Sequence, residues 1–388
     1  MSSKGNLRGR ILTPLGFVDG TITFDAEGRI DAIAGTPAAL ERARDTQGPL
    51  ILPGFVDLHV HGGGGHDVME GGDAARQIAG LHARHGTTSM LATTMTAPMS
   101  DLEAAFAALT PLFAPMPAGA QRSAKAARIL GVHLEGPYIN PGKLGAQPDF
   151  VRPASIDEIH ALNALAPVRL ITLAPELPGN LDIIVVLRAA GFQVQIGHTL
   201  GSYEDGVAAL ERGAGGFTHL FNAMTGMHHR EPGIVGAALA HARYAEIIPD
   251  LLHVHPGAIR AALRAIPCLF CVTDSTAATG MPDGDYRLGR HRVTKCLGGV
   301  RLADGTLAGS TLTMDQALRN LITIGLSLED ASRRVSTCAA EYLGLPDRGR
   351  LAEGVRADLV VVDRDLHLQR VIAEGEELDL APSSDAVL

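Results

Sequence analysis

Basic residues are in the minority, cysteines are few and no long apolar run occurs, and each shortage excludes a class of function. The chain carries 33 Lys and Arg against 42 Asp and Glu, a net charge of -9. Bulk charge therefore attracts no nucleic acid, and an anionic substrate has to be held by a few local cations against the field of the whole molecule. Four cysteines, Cys268, Cys271, Cys296 and Cys338, are too few and too scattered for a disulfide scaffold. The first two have CxxC spacing, but they lie inside the apolar run 266–272 without a second CxxC, and read as small buried strand residues. No segment approaches the roughly 18 apolar residues needed to cross a bilayer, and the first residues hold no apolar signal core. A cytoplasmic location without a membrane partner is expected.

What is present suits a large core: 388 residues, 46% hydrophobic and 19% charged. At roughly 150 residues per domain, that length predicts two or three domains or one large α/β barrel with additions. Residues 10–13, 21–24 and 29–33 read as short strands separated by turns, and 357–363 and 368–373 supply matching pieces near the other end. Residues 1–52 together with 350–388 are expected to form a small β-sandwich domain. From 53 to 349, strand-like runs at 55–61, 88–94, 129–135, 170–174, 192–198, 216–221, 245–248 and 269–274 alternate with helical segments. Eight such units predict a (β/α)8 TIM-like barrel. Ser100 to Glu103 and Ser155 to Glu158 read as capping boxes, Ser327 to Asp330 comes close to one, and the Pro/Ala-rich stretch 111–125 reads as a surface loop.

The polar residues at the ends of those strands are His59, His61, Glu135, His198, His219 and Asp274. In a parallel barrel these ends converge on one mouth, so four imidazoles and two carboxylates there have the composition of a metal site. His59 and His61 are spaced i, i+2, which on a strand turns both toward the same side. His133 shares the inward direction of Glu135 and is expected in a packing or supporting role. His66, His228 and His229 read as solvated loop residues. The run Gly62–Gly65 lacks the Lys-Ser/Thr of a phosphate loop and reads as a flexible loop over the pocket.

The motifs Pro53-Gly-Phe-Val-Asp-Leu-His-Val-His61, Val132-His-Leu-Glu-Gly-Pro-Tyr138, Gly197-His-Thr199, Thr218-His-Leu-Phe-Asn-Ala-Met224, Arg230-Glu-Pro-Gly233, Val272-Thr-Asp274 and Gly309-Ser-Thr-Leu-Thr-Met314 occur in that order. So does Leu351-Ala-Glu-Gly-Val-Arg-Ala-Asp358, which leads into a strand. Together they resemble the amidohydrolase superfamily and, within it, the N-acetylglucosamine-6-phosphate deacetylases. The resemblance implies a metal-dependent hydrolase of an amide C–N bond, converting N-acetyl-D-glucosamine 6-phosphate to D-glucosamine 6-phosphate and acetate in amino sugar catabolism or recycling. Glu135, His198 and His219 would bind the principal divalent ion, and His59 and His61, with Glu135 bridging, a second. One or two ions per subunit are expected; imidazole and carboxylate suit Zn, Fe, Mn and Co alike.

Asp274 looks like the catalytic carboxylate. It would deprotonate the attacking water and then protonate the departing amine, which is too basic to leave as an anion. Arg230, His253 and backbone around Asn222 and Ala223 would grip the phosphate, with Ala146, Gln147, Leu307, Ala308 and Gly309 beside the sugar. In the family the arginine comes from the neighbouring subunit, so a homodimer is expected, with Arg230 reaching the partner's site. Two departures fall on the substrate side. Gly145-Ala-Gln147 stands where relatives read Gly-Ala-His, and Pro249-Asp-Leu-Leu-His253 where they read Ala-Asp-Gly-x-His, which is expected to reshape backbone near the ligand. These keep open a deacetylase of N-acetylgalactosamine 6-phosphate or of another N-acyl amine. A sugar-phosphate sensor without catalysis would be expected to have lost ligands or Asp274.

Overall fold

The computed structural model describes residues 5–39, 48–114 and 126–380. Each of the eight expected runs holds a strand: β1 Phe55–Asp57, β2 Thr87–Thr94, β3 Arg128–Glu135, β4 Val168–Leu173, β5 Gln193–Ile196, β6 Gly216–Phe217, β7 Tyr244–Ile247 and β8 Cys268–Cys271. β1 to β6 are hydrogen-bonded in chain order, and β7 pairs with β8, all in parallel. Leu220 N–H to Glu246 O (2.9 Å) joins β6 to β7. The ring closes where Asp274 N–H donates to His59 O (2.9 Å) and Val60 pairs with Ser275. Near-continuous burial along these strands is what a sheet covered on both faces requires; β2 and β8 are buried at every position.

Eight helices follow the strands in turn: α1 Ala74–Arg84, α2 Met99–Phe113, α3 Ile156–Leu165, α4 Asn180–Ala189, α5 Tyr203–Glu211, α6 Gly233–His241, α7 Pro256–Ala265 and α8 Met314–Thr323. Ser155 caps α3 by accepting the Glu158 N–H, and Ser327 likewise accepts the Asp330 N–H. The expected box at Ser100 does not form, because α2 begins at Met99 behind Pro98, two residues earlier than a cap at Ser100 would place it. A reciprocal box is found instead at Ser202 and Asp205, at the start of α5. α2 runs through Pro111 to Phe113, so the expected loop does not begin at 111; its remainder, 115–125, lies outside the described residues.

Segments 5–53 and 359–377 meet in one seven-stranded sheet, in the order Glu376–Glu377, Leu368–Ala373, Leu359–Val362, Leu50–Pro53, Gly5–Thr13, Gly16–Phe24 and Ile30–Pro37. Alternation divides its strands between two cores. Ile51 and Val361 join Leu7, Ile11, Ile22 and Ile372 on one face, while Leu50, Leu52, Val360 and Val362 join the barrel core on the other. A buried ion network ties sheet to barrel: Arg348 donates to Asp358 (2.5 Å), Glu374 (2.5 Å) and the Ser89 hydroxyl (3.1 Å). Cys268 and Cys271 are buried in β8, as expected.

A three-stranded antiparallel sheet, Gly284–Leu288, His291–Cys296 and Gly299–Arg301, is inserted between β8 and α8 and has no counterpart in the sequence reading. Leu288, Val293 and Val300 seat it on Met95, Ala278 and Ala308. Gly62–Gly63 is paired with His66–Asp67, and the Gly62, Gly64 and Gly65 N–H groups donate to the Ser275, Thr279 and Ala277 carbonyls, so the run is a packed hairpin rather than the expected flexible loop. A side chain at Gly62 would press within 2.4 Å of the Ala277 nitrogen. No helix among the described residues is long and apolar enough to cross a membrane.

Candidate active site

Five of the six expected strand-end residues sit just beyond their strands; Glu135 alone is on one. His198, His219 and Asp274 have φ of 47°, 30° and 50°. Such left-handed backbone costs non-glycine residues of order 1–3 kcal/mol each and persists only where the surroundings over-determine it. Here they do: His198 O accepts from Asn140 N–H (2.9 Å), His219 N–H donates to Glu246 (3.1 Å), and Asp274 O accepts from Ser310 N–H (2.7 Å). The turns end the ladder and direct the side chains across the mouth. Gly309 (φ 61°) allows its segment to pass Asp274, since a Cβ there would meet Thr276 at 2.6 Å and Asp274 O at 2.9 Å.

The six side chains converge in a cup. Glu135 Oε1 is 3.1 Å from both His198 Nε2 and His219 Nε2, and its Oε2 is 3.1 Å from His61 Nε2. His59 Nε2 is 3.1 Å from His61 Nε2, and Asp274 Oδ1 lies 3.4 and 3.3 Å from the two. One carboxylate thus touches two pairs of imidazoles. His133 is buried beneath, its Nε2 bonded to the Thr172 hydroxyl at 2.8 Å and its ring 4.6 Å from that of His59.

The donor set fits a divalent cation. His198 Nδ1 is 2.8 Å from the Lys143 carbonyl, which can only accept, so the ring proton is on Nδ1 and the Nε2 lone pair faces Glu135 Oε1. His59 Nδ1 likewise donates to Glu246 (3.0 Å), which turns the His59 Nε2 lone pair to the centre. Lone pairs and carboxylate oxygens converging at about 3 Å repel unless positive charge lies among them. Without a metal, protons meet that demand. Burial alone would lower His61, but its hydrogen bonds to Asp274 and Glu135 outweigh it and push it up to about 9. His59 rises well above its ordinary value against the effect of burial, through the charges of Glu135, Asp274 and Glu246. Burial alone would raise Asp274, yet the charge on His59 and the bond from His61 hold it at about 2. Metal and protons compete for such ligands.

Above the cup opens a cavity of about 340 Å3, a size suited to a small ligand. Ala146, Gln147, Asn222, Ala223, His253, Leu307 and Gly309 line it together with Lys143, Leu288 from the inserted sheet, and the cup residues other than the fully buried His59. Two of the expected substrate residues lie elsewhere. Ala308 is fully buried in the small core under the inserted sheet, its N–H bonded to Val300 O. Arg230 is exposed, 2.7 Å from His229, and outside this chain's own cavity. His228 and His229 are exposed and His66 pairs with Glu70.

The two departures from the family pattern have physical outcomes. Gln147 donates to Glu135 Oε2 (2.5 Å) and accepts from Thr96 N–H (2.7 Å), so its amide fixes the carboxylate that the imidazoles share. Leu251 has a φ of 67°, in the left-handed region where glycine is at ease, so a leucine carries backbone strain at this turn. Asp250 holds that turn by accepting from Leu252 N–H (2.9 Å), His253 N–H (2.8 Å) and His253 Nδ1 (2.6 Å). Burial alone would lower His253, but this bond and the charge of Asp250 raise it. Glu246 and Lys143 were absent from the sequence reading. A single acid in the otherwise apolar β7 was the available signal for Glu246, since charge is seldom fully buried without a partner.

Residues 50–378 match the amidohydrolase family. The N-acetylgalactosamine-6-phosphate deacetylase of Escherichia coli O157:H7 is 38% identical over 375 residues, 95% of this chain and 97% of that protein. The N-acetylglucosamine-6-phosphate deacetylase of Lysinibacillus sphaericus is 39% identical over 336 residues, 84% of this chain and 85% of that protein. Among solved structures, a mutant N-acetyl-D-glucosamine-6-phosphate deacetylase from Mycobacterium smegmatis in complex with N-acetyl-D-glucosamine-6-phosphate superposes with a TM-score of 0.86. The two are 34% identical, over 97% of this chain and 99% of that one. With a barrel mouth of this chemistry and matches of this extent, the chain belongs to the amidohydrolase family.

Proposed function

We propose that this protein hydrolyses the acetamide of N-acetyl-D-glucosamine 6-phosphate, yielding D-glucosamine 6-phosphate and acetate, in the cytoplasm. The observation that carries the reading is a single cavity with Glu135, His198, His219 and Asp274 at its floor and His253 on its wall. A divalent cation held in the cup would supply an acidified water and polarisation of the acetyl carbonyl. Glu135, His198 and His219 would hold one ion, and His59 and His61 together with Glu135 would hold a second; Zn, Fe, Mn or Co suits the donors.

Asp274 takes the proton from the attacking water and returns it to the departing amine. His253, backbone around Asn222 and Ala223, and Arg230 from the second copy of a homodimer hold the phosphate, the arginine fork matching two of its oxygens. Ala146, Gln147, Leu307 and Gly309 enclose the sugar ring. Residues 1–52 with 350–388 form the smaller domain and 53–349 the catalytic one.

The relative from Escherichia coli O157:H7 favours a second reading, the galactosamine epimer. Acetate release from both epimeric 6-phosphates and from unphosphorylated N-acetylglucosamine tests the assignment. Preference for the glucosamine 6-phosphate is expected; preference for the other epimer selects the second reading, and equal turnover without phosphate removes both.

A further inference from the structure

Glu246, a carboxylate that takes no proton in the chemistry above, lies directly against the cup. It is fully buried on β7. Its Oε2 accepts from His59 Nδ1 at 3.0 Å and from the His219 backbone N–H at 3.1 Å, while Oε1 has no hydrogen-bond partner among the described residues. Burying an acid in an apolar strand is costly unless hydrogen bonds or a charge partner offset the lost hydration.

The bond to His59 has a chemical consequence. An imidazole that carries its proton on Nδ1 keeps its lone pair on Nε2, and that atom faces His61 Nε2 at 3.1 Å, Asp274 Oδ1 at 3.4 Å and Glu135 Oε1 at 3.5 Å. In the opposite tautomer a proton would occupy the place of a metal. The same oxygen also fixes the backbone of His219 at its strained φ of 30°. Glu246 therefore ties together one ligand from each half of the cup, while the His133 ring confines His59 from the side.

We propose that Glu246 is a positioning residue that selects the His59 tautomer and thereby makes the His59–His61 half a second cation site beside the Glu135–His198–His219 half. The inference rests on the metal-dependent reading above and deepens it. Partners of this kind behind a metal-binding histidine alter affinity by about 10- to 100-fold.

The test is metal content and affinity of the full-length protein loaded with Mn2+, read by elemental analysis, chelator competition and the spin-coupling of an ion pair in electron paramagnetic resonance. Wild type is expected to hold two coupled ions. Glu246→Gln keeps an acceptor for both N–H groups but loses the charge, and is expected to bind the weaker ion about 10-fold less tightly; Glu246→Ala is expected to lose about 100-fold and show one uncoupled ion. Circular dichroism establishes folding, and if the alanine variant does not fold, the glutamine variant decides. Two coupled ions at wild-type affinity in a folded variant, or a single ion in saturated wild type, overturns the proposal. Because the readout is metal, a wrong substrate assignment leaves it unaffected.

Discussion

Replacing Asp274 with Asn is the sharpest test of the chemistry. The two side chains are nearly the same size, and the backbone is pinned by Ser310 N–H at 2.7 Å and by its own bond to His59 O, so the cup should keep its shape. What is lost is a carboxylate able to take a proton from water and return it to nitrogen. One positioned acid or base contributes about 10²- to 10⁴-fold, and a residue serving both steps belongs at the upper end. The expected loss in kcat is about 10³- to 10⁴-fold, or about 4–5 kcal/mol in barrel-bound transition-state stabilisation. KM should stay within about threefold, because His253 and the other groups proposed to hold the sugar phosphate are untouched. The assay is acetate release at saturating substrate and metal, with ion content measured on the same samples. A kcat within tenfold of wild type at full metal loading, or a loss confined to KM, would refute the assignment.

Stripping divalent ions with a chelator should abolish turnover, and readdition of Zn, Mn, Fe or Co should restore it; undiminished activity of the stripped protein, checked by elemental analysis, defeats the metal reading. The raised His253 should remain cationic above its ordinary value of 6.5, so phosphate binding is present at low pH and fades as pH rises through the raised value. A pH series of KM should show that rise in wild type, and His253→Gln should raise KM by about tenfold at pH 6 and flatten the series; a variant with the wild-type profile contradicts the role. Arg348→Met leaves Asp358 and Glu374 facing each other without their shared cation and should destabilise the protein by about 3–5 kcal/mol in denaturant unfolding. Adding Asp358→Asn should recover part of that loss, and a single variant within 1 kcal/mol of wild type would show that the network is not needed.

Much of this molecule is written in local pattern. Apolar runs of strand length separated by helical segments announced eight parallel units, and all eight strands occur where those runs lie. The i, i+2 spacing of His59 and His61 placed two imidazoles on one side, and their Nε2 atoms are 3.1 Å apart. Ser155 and Ser327 marked helix starts because capping is a contact within a few residues. Other features depend on which segments become neighbours in space. The left-handed turns at His198, His219 and Asp274 are held by Asn140, Glu246 and Ser310, each far away in the chain. The task of Gln147 is defined by Glu135 and Thr96, and Leu251 bears a φ at which glycine is more at ease. The inserted sheet has strands too short and too polar to stand out until Met95 and Ala278 offer it a surface. Period and turn chemistry act over a few residues and so can be read along one chain. Tautomers, strained backbone and the sharing of one carboxylate by four imidazoles are settled by strand register around the closed barrel, which exists only once the chain has folded.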